Sequence, residues 1–227
     1  MKRNIEIIAY HGWGMSAHFW EQWDDLFPEH VTFKKNDRGY FSEPSVQHFH
    51  DDEAIRILFV QGFGMHWVSQ SDWANAHVIV LFSAFNNLKE VMSKNRKLDY
   101  VIHTLQDEIK KSPNYTLDLL WETMFKSGEQ VADTERFRIR DHQLLINDLE
   151  TYYHNLVQSV PIKEKAKVLL YETEFDDLAV FSQVRQMKQL FGRLSYYKQF
   201  DFVGHGFPFN RAEACFKDMA EHLKIFD

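Results

Sequence analysis

Short apolar runs alternate with helical stretches along most of this chain, and no other feature restricts its fold as much. Ile5–Tyr10, Val31–Lys35, Ile55–Gln61, His77–Phe82, Lys167–Tyr171 and Leu194–Phe200 have strand length and strand composition. Between them, Ser16–Phe27, His66–Ala76 and Phe181–Phe191 follow helical spacing, and Arg211–Leu223 supplies a final helix. Parallel neighbours need helical crossovers, so this order predicts an α/β class with a mostly parallel, doubly wound sheet. From 86 to 158 the strand-like runs stop, and the segment becomes polar and helical, rich in Lys, Glu, Gln and Leu. A helical stretch inserted between two sheet strands predicts a cap over the carboxyl edge of the sheet, where such folds bind ligands. Residues 1–85 and 159–227 are then the core, and 86–158 the cap.

Four turns fall at predicted strand ends. The first, His11-Gly12-Trp13-Gly14, has glycines that let backbone N–H groups face a ligand oxygen, although a tight connection would use them too. The second is RILFVQGFGMHW, from Arg56 to Trp67. A nucleophile elbow, G-x-S-x-G, places small residues around a serine because the strand-to-helix turn is crowded. Here Gly62 takes the nucleophile position, Phe63 follows, and Gly64 is the small residue downstream. The upstream small position is held by Val60. Moving the register to Gly64 would put the bulky His66 in the crowded slot, so Gly62 is preferred; neither register supplies a hydroxyl or thiol. The third turn, Thr173 to Val180, offers an acid past a strand end, with Asp176 the better fit and Asp177 its neighbour. Either could instead be a surface turn or a helix cap. In the fourth, Gly204-His205-Gly206, glycines flank a histidine and free it to project into a cleft.

Other chemistries fit less well. The net charge of -7 argues against nonspecific nucleic-acid binding. The single cysteine, Cys215, excludes an internal disulfide framework and predicts a reducing compartment. The sequence has no apolar run near the roughly 18–20 residues that span a bilayer, and its first residues read as a strand instead of a signal peptide. The expected location is cytoplasmic, with no membrane partner. The 12 histidines include His48-Phe49-His50-Asp51-Asp52, yet there is no HExxH motif and no cysteine pair, so no metal is expected. GWGMSA carries Ala17 at the third glycine place and lacks the acid a dinucleotide site requires, so no cofactor is expected either. The 20 Phe, 9 Tyr and 6 Trp predict a large aromatic core, some of whose rings could line an apolar pocket.

The order elbow, acid, histidine is that of α/β-hydrolases, and the chain resembles that superfamily. Within it the sequence is most similar to the pimeloyl-[acyl-carrier protein] methyl ester esterases of biotin synthesis. The likeness is carried by HGWGMSAHFW, FVQGFGMHW, TEFDDLAV, GHGFPFNRAEACF and the run LINDLETYYHNLVQSVPIKEKAKVLLY. It spans nearly the whole chain, with the segment from 86 to 143 only generically alike.

The resemblance implies a serine carboxylesterase. A serine at position 62 would attack the ester carbonyl, His205 would serve as base and then acid, and Asp176 would orient the imidazole. Backbone N–H groups of Trp13 and Phe63 would hold the oxyanion, each donor worth about 3–4 kcal/mol. The implied partner is an acyl-carrier protein bearing a pimeloyl methyl ester. Its acidic surface would suit Arg136, Arg138 and Arg140, with Lys110 and Lys111. Gly62 departs from the family pattern and removes the covalent route. It reads either as a substitution that traps a substrate complex or as the mark of a hydrolase-fold protein that binds without turnover. Ser69, Ser71 and Cys215 lie in predicted helices away from the turn and cannot replace the serine.

Overall fold

The computed structural model describes residues 3–87, 98–125, 138–174 and 184–226. Its strands are β1 (Ile5–Tyr10), β2 (Val31–Asn36), β3 (Ile55–Gln61), β4 (Val78–Phe82), β5 (Lys167–Thr173) and β6 (Tyr196–Phe200). They form one six-stranded sheet in the order β2-β1-β3-β4-β5-β6, with every pairing parallel.

The burial of each strand follows its place in that order. β1 and β4 are buried at every residue, because both faces of a central strand are covered in a doubly wound sheet. β2 and β6 close the edges, and their burial is only partial. Lys34, Lys35 and Lys198 lie on these edge strands, a charge placement that discourages further strand pairing. The two-residue period sends alternate side chains to opposite cores. Ile7, Ala9, Ile57, Phe59, Val80 and Phe82 join one core. Ile8, Tyr10, Leu58, Val60, Ile79 and Leu81 join the other.

Much of the aromatic content fills the first core. Trp23 sits edge-on to Phe59 and Phe82, with centroids 5.0 and 5.6 Å away. Both tryptophan and phenylalanine partners come from elements distant in sequence. The segment read as a helix from Ser16 to Phe27 is a 3₁₀ helix, Ala17–Leu26, capped by the Ser16 hydroxyl. Three residues per turn brings Trp20 and Trp23 into one row against the sheet, which the looser α-helical pitch would rotate apart. Of the helix expected over His66–Ala76, only α1, Gln70–Asn75, capped by Ser69, forms; His66 instead ends a 3₁₀ turn, Gly62–His66.

Among the described residues, three helices stand between β4 and β5: α2 (Leu98–Lys111), α3 (Pro113–Met124) and α4 (His142–His154). After β5 come α5 (Val184–Phe191), α6 (Phe207–Asn210) and α7 (Ala212–Leu223). No helix among the described residues is long and apolar enough to cross a membrane.

Candidate active site

The parallel sheet delivers β1 and β3 to the same edge, and the glycine turns that follow them meet there. Gly62 begins the 3₁₀ turn after β3 with φ +53°, a conformation that L side chains rarely adopt. A Cβ built on it would lie 3.2 Å from His205 Nε2 and 3.8 Å from Gly12 Cα. Sequence positions 12, 62 and 205 therefore converge. Gly64 packs under β1: a Cβ there would stand 2.8 Å from the Tyr10 carbonyl oxygen and 2.9 Å from that of His11. Such close backbone approach is the steric reason for a glycine at this downstream place.

The loop after β1 is held from both sides. Gly12 N–H donates to Gln61 Oε1 at 2.8 Å, and a Cβ on Gly12 would fall 2.3 Å from that oxygen. His11 is fully buried, with Nδ1 2.8 Å from the Gly12 carbonyl oxygen, while its Nε2 accepts the Arg38 N–H at 3.0 Å. Those contacts fit a neutral ring protonated at Nδ1, and burial pushes its pKa down. The Trp13 indole donates to the Leu145 carbonyl at 2.8 Å, and the Trp121 indole donates to the Gly14 carbonyl at 2.9 Å. Helices α4 and α3 are thus tethered to the same loop.

His205 is 3 % exposed and lies near the Phe85 ring. Its loop is fixed by the Thr173 hydroxyl, which donates to the Val203 carbonyl, and by Gly206 N–H, which donates to the Met124 carbonyl. Gly206 has a steric role beyond freeing the imidazole. A Cβ on it would come within 2.3 Å of the Phe125 ring.

Gly12, Trp13, Gln61, Gly62, Phe63 and His205 line one cavity of about 160 Å³. The rest of its wall is apolar: Phe85, Val101, Ile102, Leu105, Leu120, Met124 and Leu149. Phe63 follows Gly62 in the 3₁₀ turn, where the leading N–H groups have no partner inside the turn. The site thus offers an imidazole nitrogen, backbone donors and an apolar chamber. That combination suits a carbonyl group attached to a hydrocarbon.

The remaining site expectations fare differently. Asp176, Asp177 and Arg136 lie outside the described residues. Arg138 stands at the start of a described stretch, apart from the cavity wall. Arg140 pairs with Glu43, Lys110 with Asp107 at 3.3 Å, and Lys111 with Glu108 at 3.3 Å. Each of these three cations already faces an acid. The His48–Asp52 cluster is dispersed: His48 Nδ1 lies 2.9 Å from Asp72, His50 N–H donates to Glu6, and Asp52 pairs with Arg56. Among the described residues no group of three or more His, Cys, Asp or Glu could hold a metal ion. Cys215 is fully buried in α7, and desolvation raises its thiol pKa.

Sequence reasoning passed over two features. Gln61 was counted only as the end of β3, yet a polar residue closing an apolar strand beside a glycine turn is a visible signal. The second lies in residues 36–40, just past the predicted strand Val31–Lys35. In the structure Arg38 forms a fork on Asp148 with two bonds of 2.8 Å, and the Tyr40 hydroxyl donates to the same carboxylate at 2.7 Å. This clamp joins α4 to the loop after β2.

His66 packs between Phe63 and Tyr152, and burial lowers its pKa to about 4. It stays neutral in the fold while the unfolded chain takes up its proton near pH 6.5. The unfolded state therefore binds more protons between pH 6.5 and 4, and stability falls as pH drops through that window. The loss attributable to His66 reaches about 3 kcal/mol at the acid end. Urea titrations of the wild type and His66→Gln between pH 7 and 4.5 measure it; parallel stability curves for the two proteins would rule the assignment out.

No family model and no curated protein matches the sequence. Solved structures do match. The bromoperoxidase from Bacillus anthracis superposes with a TM-score of 0.69 at 15% identity, covering 98% of this chain and 93% of that one. The esterase EaEST from Exiguobacterium antarcticum gives 0.64 at 13%, covering 99% and 93%. MenH from S. aureus gives 0.65 at 12%, covering 99% and 95%. At such identities the likeness carries the fold alone, and with the all-parallel sheet it establishes that this chain has the α/β-hydrolase fold.

Proposed function

We propose that the cavity is a carboxylester site on a serine-esterase frame, with Gly62 standing in the nucleophile's place. The observation that carries this reading is the 3.2 Å between a Cβ at position 62 and His205 Nε2. A serine there would carry its Oγ one bond beyond that Cβ, beside the imidazole that would take its proton, once the ring gives by a few tenths of an ångström to relieve the close contact. In the active form Oγ of residue 62 attacks the ester carbonyl as His205 takes the proton. The tetrahedral oxyanion is held by the N–H groups of Trp13 and Phe63. His205 then protonates the departing alcohol, and water releases the acid by the same steps reversed. Asp176, or its neighbour Asp177, orients the imidazole. Helices α2–α4 act as the cap that excludes water.

As to substrate, we propose a pimeloyl methyl ester borne by an acyl-carrier protein, handled in the cytoplasm. The support is the sequence likeness together with the apolar wall, which suits an aliphatic acyl chain. Carrier docking would draw on Arg138 and on Arg140, Lys110 and Lys111, the last three of which have exposed and exchangeable acidic partners. A second reading, a protein that binds esters without turning them over, is favoured by Gly62 itself.

The test is Gly62→Ser with short p-nitrophenyl esters as substrates. Hydrolysis that disappears again on His205→Ala supports the esterase frame. A folded but inert Gly62→Ser protein supports the binding reading. Growth without biotin in a strain lacking its own esterase examines the substrate proposal separately.

A further inference from the structure

The cavity and the protein surface share a wall. Val101, Leu105 and Leu120 line the cavity, and the same three side chains line a groove of about 380 Å³ between α2 and α3. Val101 is 41 % exposed although it borders the cavity, so the chamber reaches the surface at this seam. The far side of the groove is formed by Tyr100, Tyr115 and Leu119, which are 72 %, 64 % and 45 % exposed. Large apolar side chains clustered so openly are a common mark of a binding surface. Thr104, Thr116, Thr123 and Glu108 complete the lining. The Thr116 and Thr123 hydroxyls donate to the Ser112 and Leu119 carbonyls at 2.9 Å, so these two add methyl surface, and Glu108 is turned to Lys111.

Continuity decides what the groove is for. Val101, Leu105 and Leu120 belong to both spaces, so an apolar chain that outgrows the chamber meets an apolar path out of it. We infer that the α2–α3 groove receives the distal part of a linear acyl chain whose ester lies beside Gly62 and His205. This rests on the ester-site reading above and adds to it a substrate class: straight-chain esters too long for the chamber alone. The tail crosses the seam by displacing Val101, Leu105 and Leu120, and it lies against Leu119 and the two tyrosine rings.

The protein as it stands, with Gly62, is suited to a binding test because the ester survives. Methyl alkanoates of four to ten carbons are titrated while tryptophan fluorescence is followed, Trp13 being in the cavity wall. Each methylene transferred to apolar surface tightens binding about three- to fourfold. The expected series tightens steadily through ten carbons. In Leu119→Glu, at an exposed helical site that lines the groove and not the cavity, the gain stops near six carbons while the shortest ester binds as before. Tyr115→Ser repeats the test at a second exposed position. A wild-type series that levels off near six carbons, or full gains retained in both variants, overturns the groove assignment and leaves the ester site standing. Absence of binding at every length overturns the ester site and the groove with it.

Discussion

Gly62→Ser is expected to raise the turnover of p-nitrophenyl butyrate by several orders of magnitude. Loss of a triad serine costs as much as about a millionfold in turnover, with a remnant left by the oxyanion donors and binding. Supplying a hydroxyl at position 62 should give a gain of that kind to the extent that the other groups are in place. The geometry favours a large gain, because the new Cβ is aimed at His205 Nε2 and the backbone already holds the positive φ of an elbow. The same φ sets a cost. A serine held at +53° is destabilised by about 1–2 kcal/mol relative to glycine. For a chain of this length that lowers Tm by roughly 2–8 °C. Activity and stability thus move in opposite directions at one residue. Steady-state kinetics and a thermal melt on the same preparation check both. A variant that gains no activity while losing the expected stability would show that the imidazole is not available as a base.

The second large effect lies in the clamp. Asp148 is 5 % exposed and takes three hydrogen bonds, two from Arg38 and one from Tyr40. Arg38→Ala leaves that carboxylate buried with the tyrosine as its main donor; because the arginine is partly exposed, the loss is expected at about 2–3 kcal/mol, below that of a fully buried pair. Tm should fall by roughly 4–12 °C. Replacing both partners, as in Arg38→Met with Asp148→Leu, should recover much of the loss, since no unpaired charge then remains. A drop below about 1 kcal/mol in Arg38→Ala would show that water already shares the pair.

The contrast between these two sites explains what could be read in advance. Strands β1, β3 and β4 were legible because both faces are buried and the apolar run says so directly. Gly62 and His205 were legible because glycine punctuation at strand ends is a local signal. The clamp was not, since Arg38 and Asp148 are separated by 110 positions and neither belongs to a motif. Gln61 was missed for a related reason: its amide is committed to Gly12, 49 positions earlier. The 3₁₀ pitch of Ala17–Leu26 was hidden because Trp20 and Trp23 suit either helix, and only contact with the sheet selects the tighter one. Of the basic side chains expected to meet a carrier, Lys110 and Lys111 pair with acids one helical turn back, whereas the partner of Arg140, Glu43, lies 97 positions away and had no local signal.

The two indole hydrogen bonds have a mechanical consequence. Trp13 and Trp121 fasten opposite sides of one loop to two different helices of the insertion. Any displacement of either helix away from the sheet would break its bond to the loop, so the order of the loop after β1 is coupled to the position of both helices.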